Sequence, residues 1–162
     1  MNIIDTINTI KDMPESEYKR KKVHTLTNEY VKLNTTDNLL EVLYFLIDMF
    51  FEDYKGANND FEYYSNVIQF LTEKYVETIY CSNMSSDNVE LILSVAGVVY
   101  DLSYKYTKKV NLVRLALQSP NITNSQKLRA LNMLLDGEPE TTNVMSQEEI
   151  YKYKKWREEL SK

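Results

Sequence analysis

Apolar side chains recur every three or four residues through most of this chain, a helical spacing, and no convincing stretch alternates as a half-buried strand would. Ile3, Ile7 and Ile10 predict a first helix over about 2–12, which Met13-Pro14 ends because a residue before proline avoids the helical region. Tyr18, Val23, Leu26, Tyr30 and Leu33 predict a second over about 15–33, with Lys19 to Lys22 beginning its solvated side. Thr36 has the chemistry of an N-cap for a third helix, which Gly56 would stop. The fourth, about 60–81, sets Phe61, Tyr64, Ile68, Leu71, Tyr75 and Ile79 against a polar series of Glu62, Asn66, Gln69, Glu73 and Glu77.

The fifth segment, about 87–106 and opened by Ser86 or Asp87, contains LILSVAGVV, a β-branched run that on propensity alone suggests a strand. Its length and the lack of a strand to pair with favour a helix. Shorter helices follow at about 108–118 and 124–136, the latter opened by the capping box Thr123-x-x-Gln126 and stopped by Gly137. Residues 137–146 read as a loop, and Ser146-x-x-Glu149 opens a last helix over about 147–161. The expectation is all-α: a single-domain irregular helical bundle of seven or eight helices over residues 1–162, with the third, fourth and fifth at its centre.

The third helix carries the largest apolar run, LLEVLYFLIDMFFEDY. With successive residues about 100° apart, Asp37, Asp48, Glu52 and Lys55 all fall within about 40° of Glu41. The rest of the circumference is Leu, Val, Ile, Met, Phe or Tyr, as expected of a helix inside a bundle or beneath a partner. Two readings follow. Either this is a central helix with one solvated strip, or part of the aromatic surface of Tyr44, Phe45, Phe51 and Tyr54 is left open for a partner or a second copy.

Composition narrows the class of function. The 162 residues are one ordinary domain in size, large enough to fold without disulfides or metal. The one cysteine, Cys81, fits a reducing compartment. The N-terminal stretch lacks the basic and apolar regions of a secretory signal, and no apolar run reaches a membrane span, so a cytoplasmic location and no membrane contact are expected. Lysine far outnumbers arginine, and asparagine and tyrosine are abundant. That bias points to an A/T-rich genome, and a phage or mobile-element origin would fit it.

The net charge of −5 is unevenly spread: residues 41–104 sum to −9 and residues 105–135 to +6. The acidic region, with Glu62, Glu73 and Glu77 beside the aromatic edge, suits a basic or apolar site on another protein. The basic segment 105–129, with Lys105, Lys108, Lys109, Arg114, Lys127 and Arg129, offers an alternative reading as a nucleic-acid-binding face. Against it stand the overall negative charge and the long, proline-bearing QSPNIT between the two short helices.

Catalytic equipment is sparse. His24 is the only histidine and Cys81 the only thiol, and three glycines could hardly build a phosphate-cradling loop. Glu41, Asp48 and Glu52 share a helix face, but no Glu-x-x-His pair accompanies them, so no metal or other cofactor is expected. The sequence therefore reads as a non-enzymatic protein-binding protein, a small regulator or inhibitor of a partner. An assembly chaperone or a self-assembling structural protein is the further alternative, the latter a homo-oligomer.

Overall fold

The structure, a computed structural model, describes residues 2–55, 60–79, 85–97 and 106–162; the side chains of Tyr54 and Lys55 lie outside that description. All regular elements among the described residues are helical, ten α-helices in all. The expected fold class holds, whereas the expected number of helices was too low. The chain gathers into two compact units, residues 1–78 and 79–162.

In the first unit, α1 (Ile3–Lys11) is capped by Asn2, whose Oδ1 accepts the Asp5 N–H at 3.1 Å. Ile3, Ile7 and Ile10 are buried, as their spacing predicted. Ser16 caps α2 (Glu17–Leu33), which ends at Asn34 in the left-handed conformation. Helix α2 buries Val23, Leu26 and Tyr30. It also buries Lys19, which the sequence assigned to the solvated side.

Helix α3 (Leu39–Lys55) begins three residues after Thr36, which therefore does not cap it. Residues 36–39 form a turn instead, with Asn38 at φ 58° and the Leu39 N–H donating to the Thr36 carbonyl. Thr35 Oγ1 accepts the Asp37 N–H, and the buried Tyr30 hydroxyl donates to the Asp37 carbonyl at 2.8 Å. These bonds hold the turn, and burial pushes the Tyr30 phenol up to about 12. Leu39, Val42, Leu43, Phe45, Leu46, Ile47, Met49 and Phe50 are all buried. Each such side chain contributes about 1.5–3 kcal/mol. Most of the circumference of α3 is thus core, packed chiefly on α4 (Phe61–Lys74).

The expected continuous helix over 60–81 breaks at Tyr75, whose φ of −114° and ψ of 25° leave the helical region. A four-residue α5 (Val76–Ile79) follows. Helix α4 also faces the core differently from expectation. Gln69 is buried together with Ser65 and Thr72, and Phe70 is exposed.

In the second unit, Ser85 rather than Ser86 or Asp87 caps α6 (Ser86–Val95). Val89, Leu91, Ile92, Leu93 and Val95 are buried, so the described part of this run is helical because tertiary packing overrides local propensity, while residues 98–105 of the expected helix lie outside the described residues. Helix α6 packs against α7 (Tyr106–Leu117) and α8 (Asn124–Leu135). The capping box of α8 is present with both halves: Thr123 Oγ1 accepts the Gln126 N–H and Gln126 Oε1 accepts the Thr123 N–H, each at 3.1 Å. Gly137 follows α8 where a Cβ would lie 2.8 Å from the Met133 carbonyl oxygen, so only glycine fits without a shift. The expected loop at 137–146 contains a short α9 (Pro139–Asn143), with proline at its first position where no N–H is needed. Helix α10 (Gln147–Leu160) packs on α8.

Candidate functional site

The exposed face of α3 runs through Glu41, Tyr44, Asp48, Phe51 and Glu52. The aromatic patch expected from the sequence therefore divides. Tyr44 and Phe51 are exposed, at 36% and 43%. Phe45 is fully buried, because it sits about 100° round the helix from Tyr44 and points into the core. Phe45 is core and no part of a partner surface. The Tyr54 side chain lies outside the described residues.

Glu62, Glu73 and Glu77 are exposed on α4 and α5 as expected. The sequence reading missed what lies beside them. Asn28, Val31 and Lys32 of α2 and Tyr63, Asn66, Val67 and Phe70 of α4 line an open groove of about 510 Å³. Phe70 is 47% exposed there. Its signal was present: Tyr63, Val67 and Phe70 follow helical spacing one step round from the predicted core face. An amphipathic pattern drawn with two faces only has no room for that third apolar line.

A polar cluster joins α2 and α3 with the start of α4. The buried Lys19 ammonium lies 3.0 Å from Glu15 and 3.7 Å from Glu52. It offsets its desolvation by standing between two carboxylates. Hydrogen bonding to Lys19 lowers the Glu15 pKa, whereas desolvation and the neighbouring Glu15 raise that of Glu52. Asp53 is buried at 3% exposure, and its Oδ2 receives no hydrogen bond among the described residues. Burial pushes its pKa up, with Asp60 and Glu15 adding to the effect. His24 stacks on Tyr63, with ring centroids 4.0 Å apart and planes within 7°. Its Nε2 stands 3.4 Å from Asp60 Oδ2, outside hydrogen-bonding geometry. This is a packed polar network. No group of three metal-ligating side chains occurs among the described residues. Cys81, the other candidate nucleophile, lies outside them.

The basic segment is engaged internally. Arg114 forms a two-pronged pair with Glu149, Nε to Oε2 at 2.9 Å and Nη2 to Oε1 at 2.5 Å. That pair lowers the Glu149 pKa and raises that of Arg114. Arg129 pairs with Glu90, and Lys127 lies over the Trp156 ring at 5.8 Å. Lys109, expected on an outward basic face, is buried at 3% exposure. Lys108 is exposed, and Lys105 lies outside the described residues. Of the five described cations, Arg114 and Arg129 are ion-paired within the chain and Lys109 is buried.

Compared with known proteins, the chain matches no family model, and no curated protein or solved structure shows significant similarity to it. Among the described residues no helix is long and apolar enough to cross a membrane.

Proposed function

We propose that this chain is a non-enzymatic, cytoplasmic protein-binding protein, a small regulator or inhibitor that acts by seating part of a partner on its first unit. One observation carries the reading: the α2–α4 groove, where Phe70 stands half exposed beside Val31 and Val67 with Tyr63 at the wall. An exposed aromatic residue in a concave, largely apolar site is a usual feature of an interface hot spot. Apolar residues at helical spacing along an open groove suit a partner helix. The exposed Glu62 and Glu73 on α4 favour a partner with basic residues flanking its apolar face.

The test is retention of a host-cell protein by the immobilised full chain. Phe70→Glu should reduce retention at least about tenfold, the loss of a single hot spot. Its melting temperature should stay within about 3 °C of wild type, because the side chain is exposed. Joint reversal of Glu62, Glu73 and Glu77 to lysine should reduce retention severalfold. Equal retention by wild type and Phe70→Glu would remove the groove as the binding site.

A further inference from the structure

On α3 the exposed positions 41, 44, 48 and 51 follow a three-four-three spacing, that of a coiled-coil seam. The seam alternates in kind: Glu41, then Tyr44, then Asp48, then Phe51. Carboxylates and aromatic rings thus each recur after seven residues, about 10.5 Å along the axis. The core face of the same helix is elsewhere, at Val42, Leu43, Leu46 and Phe50, and the Phe51 ring also meets Phe50 edge-on, with centroids 5.6 Å apart.

We infer that this seam docks a cationic amphipathic helix of another protein, with its lysine or arginine side chains meeting Glu41 and Asp48 and its apolar side chains covering Tyr44 and Phe51. Charge complementarity decides the occupant. A purely apolar helix would desolvate both carboxylates without a partner, which is costly. A second copy of this chain would do no better. Set parallel, its Glu41 and Asp48 meet their own counterparts; set antiparallel, they meet aromatic rings. Cations at two-turn spacing answer both acids while leaving the rings to apolar contact, and at the rim of an interface such charges also speed and orient encounter.

The seam shares no residue with the α2–α4 groove, so either can fail alone. The test uses the full chain and two labelled peptides of one composition. In one, lysine and leucine alternate at the seam positions of three heptads; in the other, the order is shuffled. Fluorescence anisotropy at low salt, about 50 mM, should show the heptad peptide binding at least about tenfold more tightly than the shuffled one. Phe51→Ala and Asp48→Lys should each weaken the heptad peptide about tenfold, while Glu73→Lys and Phe70→Glu stay within about twofold. If either seam variant fails to fold by circular dichroism, Tyr44→Ala and Glu41→Lys replace it. Equal binding of the two peptides, unchanged binding by the seam variants, or an equal loss with Phe70→Glu would each overturn the inference.

Discussion

Asp53 carries a carboxyl group that the fold buries with one oxygen unanswered among the described residues. Burial disfavours its ionised form, so its folded pKa lies above the unfolded one. The folded chain then holds the proton more tightly, and stability falls as pH rises through the raised value. Asp53→Asn should therefore stabilise the protein at pH 7, because the amide removes the penalty of ionising a buried carboxyl group. The gain should shrink at acid pH, and urea unfolding at the two pH values measures both. Glu149 has the opposite sign. Arg114 holds its pKa down, so its contribution is present above the unfolded carboxylate value and is lost as pH falls through the folded one. Glu149→Gln should cost about 1.5–3 kcal/mol at pH 7 and progressively less in acid. The assignment of α3's faces makes a paired prediction: Phe45→Ala should cost about 3–5 kcal/mol, and Phe51→Ala under about 1 kcal/mol. Sequence alone left the two phenylalanines open, because apolar character covers most of this helix and only packing partners decide which ring is inside. Lys19 was misassigned for a related reason. Its burial depends on Glu15 and on Glu52, which is distant in sequence and carries no local mark.

At the scale of elements, local chemistry was legible at Thr123 and Ser146, which close the helices they were expected to open, but not at α6, where Ser85 caps instead of Ser86 or Asp87. Thr123-x-x-Gln126 forms the full capping box it spells. Thr123→Ala should cost about 1 kcal/mol in thermal unfolding. Ser146-x-x-Glu149 is only half realised: Ser146 accepts the Glu149 N–H, while the Glu149 carboxylate turns to Arg114. The helix starts, so the motif located it, but a partner 35 residues away took the acid. The break at Tyr75 was not legible, because the amphipathic period continues through it without proline or glycine. The short α9 was hidden by Gly137 and Pro139, both read as loop residues, although proline also opens helices. Thr36 failed as a cap because Thr35, Asn38 and the Tyr30 hydroxyl build a turn that delays α3.

Across the molecule, charge asymmetry was plain in the sequence and its use was not. The basic stretch at 105–129 suggested a face for nucleic acid, yet Arg114 and Arg129 reach for Glu149 and Glu90. No gel shift of duplex DNA or RNA is expected at micromolar protein and low salt. The acidic first unit exposes aromatic side chains at Tyr18, in the α2–α4 groove and along the α3 seam, and the latter two are the proposed seats of partner helices. The central claim is that the groove engages a protein, and its most direct measurement is site-specific photo-crosslinking inside the host. A photoreactive phenylalanine analogue at position 70 should yield one discrete crosslinked protein, absent when the same probe occupies position 151, an exposed site on α10. No adduct from position 70 beyond the position-151 background would contradict the account.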